Sequence, residues 1–120
     1  MTYRKKMKRK EWDMSETKEY CVVLTTCENT QQADELASGL VGERLAACVQ
    51  ITAITSYYEW KGDVNKDSEQ LLLIKAKKEL YPDIEAFITR NHTYEVPEIV
   101  MVPIEQGLSG YFRWIDEVSR

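Results

Sequence analysis

"CVQITAITSYYEWKGDVNKDSEQLLLIKAK", residues 48–77, decides the fold. Its first half alternates. Val49, Ile51 and Ala53 take one face and polar residues the other, which is the period of a strand. "KGDVNKD", residues 61–67, is rich in Gly, Asn and Asp and reads as a turn. "SEQLLLIKAK", residues 68–77, is a second strand. Two strands joined by a turn in mid-chain make an extended antiparallel hairpin.

The flanks supply the rest. "EYCVVLTT", residues 19–26, is apolar and β-branched, and reads as a strand. In residues 28–47, Ala33, Leu36, Ala37, Leu40, Val41 and Leu45 recur at helical spacing and form one buried stripe. Asn29, with Gln32 three residues on, resembles a capping box. After the hairpin, "ELYPDIEAFITRNH" (79–92) sets Leu80, Ile84, Phe87 and Ile88 on one helical face. Pro82 fits only near that helix's start. "EIVMVPI" (98–104) is a fourth strand, ending or lying at an edge near Pro103. "SGYFRWIDEVSR" (109–120) closes as a short helix, starting near Ser109 or Gly110, with Tyr111, Trp114, Ile115 and Val118 as its stripe.

The order β-α-β-β-α-β-α predicts an α+β protein. Its first six elements are a ferredoxin-like split βαβ unit, followed by an extra C-terminal helix. Right-handed crossovers put both connecting helices on one face of the sheet. Yet "CVVL", "LLLI" and "IVMVPI" are apolar at successive positions, as in strands buried on both faces. The last helix is too short to cover the second face alone. A large bare apolar face marks an interface, so the patterning predicts a homo-oligomer without giving its subunit number.

Composition narrows the classes. With 120 residues and 43% hydrophobic content, one domain is expected. The apolar runs Leu71–Ile74 and Ile99–Ile104 fall far short of the ~20 residues of a membrane helix. No apolar segment of a secretory signal follows the basic start. Cys21, Cys27 and Cys48, an odd set without a C-x-x-C pair, read as reduced thiols of a cytoplasmic protein. Residues 1–10 hold six basic residues and no acid; the chain is −4, so residues 11–120 carry −4 − 6 = −10. So acidic a body is a poor nucleic-acid surface. Residues 1–18 read as a basic, solvated, disordered arm and 19–120 as the folded domain. Neither a nucleic-acid partner nor membrane insertion is expected.

His92 is the only histidine. With Glu98 it offers imidazole and carboxylate, a pair suited to Cu(II) or Zn(II). Glu95 is near in sequence, and Cys27 is a third ligand if the first strand ends beside the start of the fourth. The competing reading has His92 end the second helix and cap its last carbonyls. Cys27, where a strand meets a helix N-terminus, is placed for a lowered thiol pKa, which Glu28 opposes. Tyr58 and Trp60 face one way and Tyr57 the other, as a stacking platform or as packing. Lys75 either holds an anion, pairs with Glu98 or Glu59, or is a solvated strand-end residue. Tyr94 joins Tyr58, Trp60 and Lys75 as a cleft residue. Other functions that share the topology lack their residues. The third strand has no aromatic for RNA stacking. "TTCENTQQ" (25–32) has no arginine cradle of an acylphosphatase, and no P-loop is present.

Three stretches, "ERLAACVQI" (43–51), "SYYEWKGDVNKDSEQLLLIKAK" (56–77) and "NHTYEVPEIVMVPI" (91–104), with "YFRWI" (111–115), resemble the CutA-type divalent-cation tolerance family. The resemblance covers roughly residues 20–118. It implies a cytoplasmic homotrimer of ferredoxin-like protomers, similar in build to PII signalling proteins, with the long hairpins packed around the three-fold axis. It also implies an association with copper and other divalent cations, in animals with anchoring of a membrane enzyme, and no agreed catalysis. Thr93 stands where many bacterial members have proline. Thr25 and Asn91 stand where some copper-linked members have cysteine and histidine. The expected function is a non-enzymatic divalent-cation tolerance trimer. It would have no obligatory cofactor and would bind Cu(II) or a similar ion through His92, Glu98 and Cys27. The alternative is a PII-like adaptor that takes a small molecule or protein in an intersubunit cleft lined by Tyr58, Trp60, Lys75 and Tyr94.

Overall fold

The structure, a computed structural model, describes residues 19–120. The predicted basic arm lies outside the described residues. Strand β1 (Tyr20–Cys27) leads to helix α1 (Thr30–Gly42). Strands β2 (Cys48–Trp60) and β3 (Asp63–Lys77) form the hairpin. A 3₁₀ turn (Lys78–Leu80) opens helix α2 (Tyr81–Asn91), and strand β4 (Ile99–Ile104) and helix α3 (Ser109–Val118) complete the chain. The sheet order is β2-β3-β1-β4, every pair antiparallel. These are the predicted ferredoxin-like elements with the added C-terminal helix.

Alternation along the strands sorts the two faces. Cys21, Val23 and Cys27 of β1 and Leu72, Ile74 and Ala76 of β3 are all fully buried. They pack against Leu36 and Leu40 of α1 and Ile84 and Ile88 of α2. Both helices therefore share one face. Asn29 caps α1: its Oδ1 accepts the Gln32 N–H at 2.9 Å. Gln32 does not complete the expected box, because its amide is engaged elsewhere. Pro82 sits in the first turn of α2, where its missing N–H costs nothing.

The hairpin differs from expectation in one respect. Only Lys61 and Gly62 turn, with φ of 54° and 85°, and Trp60 pairs directly with Asp63. A two-residue loop with both φ positive matches the twist of the flanking strands. Residues 63–67, read from composition as turn, are strand. Pairing of β1 with β3 ends at Cys27 and Gln70, so beyond them the hairpin is a two-stranded ribbon. Residues 63–67 are polar because no third strand or helix among the described residues packs on them, not because they form a loop.

The opposite sheet face is partly covered. Helix α3 packs over one corner, where Ile115 is buried with Tyr20 and Ala47 against Phe112, Val118 and Ile104. The Tyr20 and Phe112 rings stack at 4.2 Å. Arg44 holds the end of α3 by donating to the carbonyls of Val118 and Ser119, and Lys77 donates to the Arg120 carbonyl. Val22, Leu24, Leu71, Leu73, Val100 and Val102 lie on the rest of this face by register. Val100 and Val102 are 44% and 46% exposed.

Candidate functional site

The loop 92–98 leaves α2, crosses the end of β1 and enters β4. Pairing of β1 with β4 stops at Thr25 and Ile99. One residue beyond, the Thr26 carbonyl would lack a partner. His92 supplies one: its Nε2 lies 2.8 Å from Thr26 O. The Tyr94 amide donates to His92 Nδ1 at 3.0 Å. An amide can only donate, so Nδ1 is the acceptor and Nε2 carries the proton. Geometry thus selects the neutral Nε2–H tautomer and occupies both ring nitrogens.

Gln32 fixes the same loop from α1. Its Nε2 donates to Asn91 O at 3.2 Å, and its Oε1 accepts the Thr93 N–H at 2.9 Å. A buried amide with both ends matched is rigid, and here it clamps the backbone on either side of His92. His92 does end α2, as the competing reading held, but its ring reaches β1 rather than the helix carbonyls. The Asn91 side chain instead folds back on the helix and donates to Phe87 O at 2.8 Å.

So held, the loop carries Tyr94 to Glu69. Tyr94 Oη donates to Glu69 Oε2 at 2.7 Å, and Ser56 Oγ donates to Oε1 at 2.7 Å. Both carboxylate oxygens therefore accept a hydroxyl. Burial raises the Tyr94 pKa above its ordinary value, and the bond and charge of Glu69 add to the effect. Two residues along β3, on the same side of the strand, Asp67 accepts the Tyr58 hydroxyl. Sequence reading missed Glu69 and Ser56, and took Gln32 for a capping-box partner rather than a clamp on the loop. The available signals were parity, since Glu69 shares the face of Leu71 and Leu73, and the position of Gln32 in a first helical turn.

The predicted cation ligands do not converge. Glu98 is exposed at the entrance to β4. Cys27 is fully buried on the helix side. Burial, reinforced by the charge of Glu69, pushes its thiol up to about 11, opposite to the lowering expected at a helix N-terminus. Among the described residues, no three His, Cys, Asp or Glu side chains gather as a metal site. With both imidazole nitrogens engaged and the thiol sealed away, this donor set does not fit a cation.

The cleft residues are spread along the molecule. Tyr58 and Tyr94 are linked to neighbouring acids of β3. Trp60 stands near the hairpin tip, 60% exposed, with Lys61 Nζ 5.6 Å from its ring centre. Lys75 lies at the other end of β3, its Nζ 2.7 Å from Gln50 Oε1.

Against known proteins, the family model described as CutA1 divalent ion tolerance protein matches residues 21–118. Protein CutA of Mus musculus is 45% identical over 95 residues, which are 78% of this chain and 54% of that protein. The divalent-cation tolerance protein CutA of Thermus thermophilus is 43% identical over 97 residues, 80% of this chain and 94% of that one. The chain spans about half the length of the mammalian relatives it matches. The crystal structure of CutA1 from Oryza sativa superposes with a TM-score of 0.83 at 37% identity, covering 85% of this chain and 94% of that one. The chain belongs to the CutA1 divalent ion tolerance family.

Proposed function

We propose that this protein serves divalent-cation tolerance as a non-enzymatic homotrimer in the cytoplasm. The uncovered apolar sheet face carries the assembly reading. Val22, Leu24, Leu71, Leu73, Val100 and Val102 share this face by register, the first four part-exposed and Val100 and Val102 exposed, and a stable monomer rarely leaves such a face wet. The two-stranded overhang supports the same reading. Isolated ribbons are marginal in water, and this one exposes Tyr57, Trp60 and Val64 at 66%, 60% and 78%. Free Cys21, Cys27 and Cys48 suit a reducing compartment.

Within this reading His92 fastens the loop that carries Tyr94, and a cation at either of its nitrogens would displace Thr26 O or the Tyr94 amide. The cleft alternative, a small molecule or protein partner held by Tyr58, Trp60, Lys75 and Tyr94, draws support from the Glu69 cluster, which places Tyr94 firmly on the open face. Light scattering tests the assembly: a trimer has three times the 14.0 kDa chain mass, and a monomeric mass refutes it. Titration of reduced protein with Cu(II) against a competing chelator tests the metal reading. His92→Ala leaves the affinity unchanged if His92 is only a fastener. A tenfold loss, ~1.4 kcal/mol, restores His92 as a ligand.

A further inference from the structure

The open face carries opposite charges at its two ends. Along β3 the side chains on this face are, from the hairpin tip, Asp63, Asn65, Asp67, Glu69, Leu71, Leu73, Lys75 and Lys77, the last buried beneath the end of α3, where it donates to the Arg120 carbonyl. Acids lie at the hairpin end, with Asp67 and Glu69 nearest the leucines, and Lys75 is the accessible lysine at the far end, since Lys77 is buried. Six residues of strand put Glu69 and Lys75 about 20 Å apart, too far to meet within one chain.

Neither charge is neutralised among the described residues. Glu69 receives two neutral hydroxyls and Asp67 one. Lys75 donates to the amide oxygen of Gln50 and pairs with no carboxylate among the described residues. Its register partners are Val22 on one side and Cys48 on the other. Covering this face with a second copy would desolvate all three charges, and a buried unpaired charge is costly. Copies laid in matching register would set Lys75 against Lys75 and Glu69 against Glu69. Copies docked head to tail would set the acids of one against the lysine of the next. Head-to-tail contacts close into rings where the rotation between copies closes.

We propose that Lys75 of one copy completes the Asp67–Glu69 site of its neighbour, and that this contact fixes the register of the assembly. The hydroxyls of Tyr58, Ser56 and Tyr94 hold the two carboxylates in place for the incoming ammonium. Tyr94 is thereby a positioning residue, set in turn by His92 and Gln32. The inference rests on the assembly proposed above.

The test uses wild-type protein. A zero-length carbodiimide joins an amine to a carboxylate only where the two touch. After coupling, a 1:1 mixture of isotopically heavy and light chains is digested and analysed by mass spectrometry. The expected product links the Lys75 peptide to the Asp67 or Glu69 peptide and pairs heavy with light. An oligomer by light scattering that yields other cross-links but not this one overturns the inference. A monomeric mass overturns the assembly reading instead. Charge swaps give the second measurement. Lys75→Glu and Glu69→Lys should each speed subunit exchange about tenfold, and the double variant should return most of it. Singles that exchange like wild type, or a double variant no slower than either single, overturn the pairing.

Discussion

Replacing His92 by Ala removes two hydrogen bonds at once, and their costs differ. Thr26 is only 6% exposed, and its carbonyl takes the imidazole N–H at 2.8 Å. No β4 partner stands opposite, since pairing there ends at Thr25. A buried acceptor left empty costs about 1–3 kcal/mol. The Tyr94 amide is nearer solvent and can recover a water, so its loss costs about 0.5–1 kcal/mol. The loop also keeps its Gln32 clamp, which limits wider collapse. The sum is about 1.5–4 kcal/mol, a large share of a small protein's stability. Urea unfolding followed by tryptophan fluorescence measures it. Protein concentration must be fixed, because assembly couples stability to mass action. A loss below about 0.5 kcal/mol would refute the reasoning, because the Thr26 carbonyl would then have another partner or ready access to water.

Gln32→Glu keeps the acceptor for the Thr93 amide but removes the donor to Asn91 O and buries a charge. A loss of about 2 kcal/mol or more is expected, with faster hydrogen exchange at Thr93 and Tyr94 than in the bulk of α2. Cys21 and Cys27 are both held up to about 11 by burial, against about 8.5 for a free thiol. The unfolded thiols lose their protons first, so this contribution is complete below about pH 8.5 and is lost as the pH rises toward 11. It amounts to about 3 kcal/mol per thiol. Cys27→Ala should flatten the alkaline decline in a urea series from pH 8 to 11; an unchanged slope would mean the thiol does not titrate with unfolding. Gly62→Ala at φ 85° should cost about 1 kcal/mol and weaken the hairpin turn, and a neutral effect on thermal melting would refute the strain.

The elements were legible because burial and periodicity agree in them. Leu36 and Leu40 on α1, and Ile84 and Ile88 on α2, recur at the spacing of one helical face, and that face is the core. Residues 63–67 were misread because turn and solvated strand draw on the same polar residues. Only the length of β1, which ends opposite Gln70, separates them, and that is a tertiary fact. The site was less legible still. His92 was conspicuous by rarity, but its role depends on where the β1–β4 ladder stops. Glu69 was hidden in a strand that reads as one acid before an apolar run. Its partners Ser56 and Tyr94 lie 13 and 25 residues away, and only the fold brings them together.

The polar groups also follow an order that hydrophobic patterning cannot show. Every link from Gln32 to Glu69 passes through the loop between α2 and β4: amide to backbone at 91 and 93, imidazole to Thr26, phenol to Glu69. None of these links adds much apolar burial. Their effect is to convert a loop, usually the most mobile part of a fold, into a fixed arm that sets one carboxylate at the edge of an uncovered sheet. An isolated monomer gains little from orienting Glu69 so carefully. An assembly that must choose one register among several apolar alternatives gains a great deal, because leucine and valine contacts are tolerant of sliding while a desolvated charge is not. In the assembly proposed above, the polar loop and the bare face would act as one device: the face would supply the drive to associate and Glu69 the alignment.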